Sequence, residues 1–221
     1  MTPPQPLSAP EAIERRRSTR RFDPSRPLDD ALLAEILRLA TRAPSSFNLQ
    51  PWRFLVVRDA VNRRKLRAAA FNQPKVSEAP VVVIVLGYHH PDRSHVEMVA
   101  EAMRDSGAVG PEGMAEFKGR AGATLGRMPE SARPIWASRS TMLAAATLMI
   151  AAESLGVASA PMEGFDEQKV REGFGVPDDH TVCCLVALGY PAEEKPFPGR
   201  LGLEEVCYAE HFGQPWRAGE P

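Results

Sequence analysis

Two stretches, PVVVIVLG at residues 80–87 and TVCCLVALGY at residues 181–190, run apolar with almost no polar interruption. Side chains along a β-strand point alternately to opposite faces. A strand of this composition must therefore be buried on both faces, with other elements packed above and below it. The rest of the chain supplies the cover. The segment LDDALLAEILRLATRAP predicts an amphipathic helix with Leu32, Leu33, Ile36, Leu37 and Ala40 on one face. Asp29 and Asp30 suit its positive N-terminal end, and Pro44 stops it. A long helix of small apolar residues is expected over Pro134–Leu155, ended by Gly156 in a left-handed conformation.

The remaining elements alternate in the same way. Ala9–Arg17 predicts a short helix, WRFLVV from Trp52 a strand, and NRRKLRAAA a helix. VASAP reads as a short strand, and DEQKVREGF as a helix begun by Asp166. The stretch from Pro91 to Arg127 is rich in glycine and charge and shows only helical pieces. Strands thus come singly with helices between them, which predicts one α+β domain over residues 9–221. Residues 1–8 are expected to form a loose tail, and the Pro-rich segment from Pro191 onward to run over the surface.

Charge narrows the partners. The 221 residues carry 27 Lys+Arg and 28 Asp+Glu, a formal charge of -1, whereas a nucleic-acid binder shows a basic excess across its domain. No nucleic-acid partner is expected. Yet RRRSTRRFD, residues 15–23, packs five arginines into seven positions, so the chain has a local need to meet an anion. Cys183, Cys184 and Cys207 are odd in number and lack metal-ligand spacing, which argues against a disulfide framework. Cys183 and Cys184 are expected on opposite faces of their strand. No continuous apolar run approaches the roughly 20 residues of a membrane span, and the long helix is interrupted by Arg139 and Glu153. MTPPQPLSAPEAIE has no charged segment ahead of an apolar core, so a soluble, cytoplasmic protein is expected.

Several familiar chemistries are missing. No G-x-G-x-x-G opens a helix after a strand, and there is no P-loop or G-x-S-x-G elbow. His89, His90 and His95 read as a polar loop after the buried strand rather than as metal ligands, and no metal site is expected. His180 and His211 stand alone. What remains is the arginine cluster, the amide- and hydroxyl-rich APSSFNLQPW at residues 43–52, and APMEGFD at residues 160–166, where Gly164 suits a positive backbone angle.

Taken together these stretches resemble the nitroreductase family. The resemblance is carried by Arg16-Arg17-Ser18-Thr19-Arg20 followed by Phe22, by APSSFNLQPWRF, by AAFNQPKVSEAP at residues 69–80, by PMEGFD, and by Arg200 ahead of LEEV. It implies a homodimer with a central mixed β-sheet flanked by helices and an extended C-terminal segment wrapping the partner. It implies FMN at the dimer interface and NADH or NADPH as reductant. Hydride would pass to flavin N5, and a second, electron-poor small molecule, a nitroaromatic or quinone, would then take the electrons by a ping-pong mechanism. The anion that the arginines meet would be the flavin's phosphate.

Residue by residue, the resemblance puts Arg16 and Ser18 at the phosphate and ribityl chain, joined by Arg200. Arg17 contributes backbone or side contacts, and Arg20 lies toward the pyrimidine edge with Asn72 and Lys75. Pro44, Ser45, Ser46 and Asn48 would serve the partner's flavin. Pro161, Met162, Glu163 and Gly164 would lie over the flavin, with a backbone N–H of the Glu163–Gly164 turn at N5 as the catalytic contact. Arg15 and Arg21 match nothing and are expected to be solvated. One departure stands out: FPGR has no second basic residue directly before Arg200, which implies fewer charges on the phosphate. Residues 91–133, which would line the substrate pocket, match poorly. The same fold also serves flavin fragmentation, dehalogenation and peptide oxidation. A non-catalytic flavin- or nucleic-acid-binding protein is the alternative of another class.

Overall fold

A computed structural model describes residues 5–217 and residue 219. Its sheet runs β1–β2–β4–β3, with β1 at Trp52–Val57, β2 at Val81–Tyr88, β3 at Ala158–Met162 and β4 at His180–Gly189. The two apolar stretches are the two central strands, and every residue of β2 except Tyr88 is buried. Their composition demanded this position.

The sheet is antiparallel at each pairing, not mixed as expected. The reason lies in the connections. Helices α3 (Ala60–Ala69) and α4 (Pro74–Glu78) pack on each other and return the chain to the end of the sheet it left. Val57 is thus paired with Val82, and Trp52 with Gly87. Among the described residues, parallel pairing is confined to one bridge, Ser18 to Ser159, beside β3.

One face of the sheet is covered by α2 (Asp30–Ala40) and α7 (Arg133–Ser154). Ala145, Leu148 and Ala152 of α7 and Leu33 and Ile36 of α2 meet Val83, Val85, Val186 and Leu188 of the sheet. The other face is covered by α3 and α8 (Glu167–Phe174), with Leu66 and Val170 against Ile84 and Leu185. By length and composition the stretch Glu130–Ser154 is apolar enough to cross a membrane, with a mean hydropathy of 1.3 in its best window, despite Arg139 and Glu153. In this fold α7 is the core helix, its alanines letting it lie close to the strands.

The helix boundaries follow their caps. Asp29, Asp59 and Asp166 each accept N–H bonds from the first turn of the helix they start. Gly156 takes the expected left-handed conformation after α7, at φ 76°. Helix α1 (Ala9–Arg15) opens with a capping box between Ser8 and Glu11. Leu7 donates to the Ser154 carbonyl at 2.9 Å and accepts from the Ser154 hydroxyl at 2.6 Å. Leu7 and Ser8 are therefore tied to the domain; residues 1–4 of the expected loose tail lie outside the described residues. The poorly legible stretch resolves into α5 (Pro91–Asp105) and α6 (Pro111–Gly126), each begun by a proline, whose fixed φ suits the first helical turn. They bury Val99 and Leu125 against Leu49.

A β-bulge between Val85 and Leu86 leaves Cys183 without a partner in the ladder. The bulge breaks the alternation that predicted opposed thiols. Cys184 packs among Ala145 and Leu148, while Cys183 Sγ sits 3.6 Å from the Ser138 hydroxyl, so both face α7.

Candidate active site

The arginine cluster is built by a change of direction. Helix α1 stops at Arg15, and Arg16 caps it by donating its N–H to the Ala12 carbonyl. The chain then extends along β3, where Thr19 donates to the Ser159 carbonyl at 3.0 Å. This lays residues 16–20 beside the sheet as an anchored strip. The C-terminal segment returns over it. Arg16, Arg17, Ser18 and Arg20 face Lys195 and Arg200 around a cavity of about 200 Å³.

The guanidinium groups are not equivalent. Arg17 is committed to the Glu14 and Arg16 carbonyls and stacks 4.7 Å from the Phe197 ring centre. Arg200 lies 5.2 Å from the same ring and donates to the Gly199 carbonyl. Arg16 is half-buried, and its Nη1 is fully buried with no hydrogen-bond partner among the described residues. Burial pulls its pKa below the ordinary value; Glu153 opposes that shift, while Arg200 and Arg17 add to it. A buried donor left unpaired costs about 1–3 kcal/mol. An anion with several acceptor oxygens would remove the cost, and a phosphate suits the planar fork of arginine.

Arg21 needs correction, while Arg15 is exposed as expected. Arg21 is not simply solvated: it holds Glu78 at 2.8 Å, and Glu78 also accepts the Phe22 N–H. Arg15 shares the wall of an adjoining cavity with Glu153. Lys195, which sequence reasoning missed, joins the arginine cavity and supplies the cation that FPGR lacks. Only the fold reveals it, since PAEEKPFPGR shows a lone lysine among acids and prolines.

A second group lies between α3 and the turn after β3. Phe71 and Asn72 take left-handed backbone angles, φ 51° and 57°. The chain is thereby turned so that Gln73 Nε2 donates to the Gly164 carbonyl at 2.8 Å. Gly164 itself is not left-handed, contrary to expectation; the unusual angles fall on the segment that it meets. A Cβ there would meet Gln73 Nε2 at 3.6 Å, an ordinary contact. Glu163 and Gly164 are exposed, Pro161 is half-buried, and the Met162 side chain is in the core. Lys75 is half-buried; burial lowers its pKa and nearby Arg20 lowers it further. Arg20 and Lys75 thus form a second positive point, next to the first through Arg20.

The segment Pro44–Asn48 does not line the arginine cavity of its own chain. It forms a turn of 3-10 helix at Ser46–Asn48, with Phe47, Asn48 and Gln50 in left-handed conformations. Such angles in non-glycine residues cost of order 1–3 kcal/mol each and persist where the surroundings impose them. Here the Gln50 N–H is bonded to the Ser45 hydroxyl at 3.0 Å, and His95 Nδ1 lies 2.6 Å from the Leu49 carbonyl. His95 Nε2 lies 2.6 Å from Arg53, so the ring is neutral with its proton on Nδ1. Burial lowers the His95 pKa, the Leu49 bond opposes this, and Arg53 adds to it. His95 is therefore a buried clamp in α5, not part of a polar loop. His89 meets Thr181 at 2.8 Å, and His180 stacks on Tyr88 at 4.9 Å. No cluster suited to a metal occurs among the described residues. Beside this clamp, Gln50, Arg53, His95 and Met98 help line a larger cavity of about 520 Å³.

Comparison with known proteins shows the family. The model of the Nitroreductase family matches residues 13–190, which span the whole sheet and the Arg16–Arg20 strip but not Lys195 or Arg200. The chain belongs to the nitroreductase family. A Thermus thermophilus relative named NADH dehydrogenase is 42% identical over 202 residues, covering 90% of this chain and 95% of the relative. Protein DrgA of Synechocystis is 33% identical over 203 residues, covering 89% and 93%. A solved structure from Exiguobacterium sibiricum, described as a nitroreductase in complex with FMN, superposes with a TM-score of 0.88 at 25% identity, covering 95% of this chain and all of the other.

Proposed function

We propose that this nitroreductase-family protein binds FMN, takes hydride from NADH or NADPH, and passes electrons to an electron-poor acceptor, a nitroaromatic or quinone, in two separate steps. The observation that carries the reading is the cavity ringed by Arg16, Arg20, Lys195 and Arg200, one of whose cations, Arg16, also holds a buried nitrogen without a partner. Those residues fit a phosphate monoester. The relative named NADH dehydrogenase and the FMN complex of the structural neighbour support the reading. Bound FMN would supply the hydride and electron exchange.

The chain's own part is placement and charge. Arg16, Ser18, Lys195 and Arg200 would hold the phosphate. Asn72, Lys75 and Arg20 would put positive charge and donors at the pyrimidine edge, where charge tunes the flavin's potential. The bond from Gln73 to the Gly164 carbonyl fixes the turn that would face N5. Such positioning and electrostatic preorganisation need no side-chain general acid.

The reading includes a homodimer. The C-terminal segment exposes Leu201 at 73% and Phe212 at 91%, with Phe197, Leu203 and Trp216 also exposed. So many large apolar side chains exposed along one segment suit an interaction surface, and a second copy would cover them. Pro44–Asn48 would then reach the partner's flavin, and the cavity at Met98 would lie next to it as the acceptor pocket. The test is direct. Purified protein should be yellow and release FMN on heating, and a screen of NADH and NADPH against nitro, quinone and flavin acceptors should give parallel double-reciprocal lines. Released FAD, absence of flavin, or intersecting lines would overturn the corresponding part.

A further inference from the structure

The cavity adjoining the cationic one holds an acid, and Arg17, Ser18 and Lys195 wall both. Glu153 lies in the last turn of α7, half-buried, and lines a cavity of about 310 Å³ with Arg15, Arg17, Ser18 and Lys195. The place is a poor one for a carboxylate. A helix C-terminus carries partial negative charge, which disfavours an acid in the final turn, and partial burial adds a desolvation cost. What offsets these is the opposing cluster. Arg15, Arg16 and Arg17 face Glu153 from α1 and its exit; the C-terminal segment brings Lys195, with Glu193 and Glu194 beside it, and Lys195 is already held by Glu193 at 3.2 Å. Glu153 makes no hydrogen bond to any of the arginines. Arg17 is oriented by carbonyls instead. The carboxylate therefore acts on the cluster through charge and not by fixing its geometry.

A phosphate entering the Arg16 cavity brings close to two negative charges to the same cations. Two anions then share one set of counter-charges. We propose that Glu153 is the resident counter-ion of the arginine cluster and that it takes a proton from solvent when the flavin phosphate binds. The proposal rests on the FMN reading. Burial already raises the pKa of this carboxyl, with Arg15, Arg16 and Arg17 opposing. Phosphate weakens that opposition, so the bound state holds more protons than the free one. Affinity attributable to Glu153 then rises as pH falls through its raised range.

Calorimetry on flavin-free protein tests this, with FMN titrated in two buffers of different ionisation enthalpy between pH 5.5 and pH 8 (about the range in which phosphate monoesters also titrate). Glu153→Gln keeps the shape and removes the charge, and the phosphate's own protons cancel in the comparison. The expected result is greater proton uptake by the wild type, and FMN binding about five- to tenfold tighter in Glu153→Gln at pH 8, a gap that closes toward pH 5.5. Riboflavin, which lacks the phosphate, should bind both proteins alike. In the wild type alone, infrared difference spectra should show a protonated carboxyl appearing on FMN addition, whether or not the variant folds. Equal proton uptake, weaker binding by Glu153→Gln at every pH, or no new carboxyl band overturns the proposal while leaving the FMN reading intact. Wild-type protein that binds no FMN overturns both.

Discussion

Arg16 and Arg200 approach one cavity from opposite ends of the chain, and their surroundings give them different duties. Arg16 is half-buried with an unpaired nitrogen, whereas Arg200 is exposed and partly engaged by the Gly199 carbonyl. Replacing Arg200 by alanine should weaken FMN binding about ten- to a hundredfold, the loss of one charge-assisted hydrogen bond. Turnover should largely return when FMN is in excess. An Arg200→Ala enzyme that stays saturated yet slow would contradict this role. At Gly164 the structure sharpens the expectation. The position is not left-handed and a Cβ meets only ordinary contacts, so Gly164→Val should leave the thermal stability of flavin-free protein within about 1 kcal/mol of the parent. Stopped-flow reduction by NADH or NADPH should nevertheless slow at least tenfold, because the added bulk stands against Gln73, whose bond to the Gly164 carbonyl fixes the turn assigned to N5, while Glu163→Ala should reduce near normally. The reverse ranking would give the glutamate side chain a chemical role. The arginines were legible because their order along the chain is distinctive. Lys195 was not, because a single lysine carries no pattern until the chain folds back on itself.

At the scale of elements, the sequence announced what burial and capping control. The continuous apolar character of β2 and β4 placed them at the centre of the sheet, and Asp29, Asp166 and Gly156 marked helix ends through chemistry local to each. Strand direction was not legible, because it depends on whether intervening helices return the chain to the same end. The stretch holding α5 and α6 was obscure for another reason. Gly107, Gly110, Gly113, Gly119, Gly122 and Gly126 thin out its apolar periodicity, and its helices are held by packing around Leu49 and Leu125 more than by propensity. Close packing also makes one glycine in the sheet indispensable. At Gly189, the end of β4, a Cβ would lie 2.5 Å from Pro80 Cδ and 3.1 Å from the Phe22 ring. Gly189→Ala should therefore destabilise the fold by about 1–3 kcal/mol through overpacking. A melting temperature unchanged from the parent would show that Pro80 can move aside.

For the whole molecule, the exposed apolar side chains of the C-terminal segment lead to an expected dimer in sedimentation at micromolar concentration. Phe212→Ser together with Leu201→Ser should shift it toward monomer and lower flavin content at the same time. Monomers that keep full flavin would separate the two properties. The return of the C-terminal segment over residues 16–20 has a further consequence. Beyond Ala192, whose N–H reaches the Arg21 carbonyl, the backbone hydrogen bonds of the described residues join the segment only to itself. Its hold on the body includes Arg17 stacked on Phe197 and the acids Glu193 and Glu194 near Arg15, but around the Arg16 cavity it sets Lys195 and Arg200 against Arg16, Arg17 and Arg20. Like charges facing each other across a gap make a clasp that wants to spring open. A bound phosphate would turn that repulsion into attraction and lock the two ends of the polypeptide together. Stripping the flavin should thus make the Arg200–Leu201 peptide bond an early target for trypsin, and adding FMN back should shield it before any activity is measured.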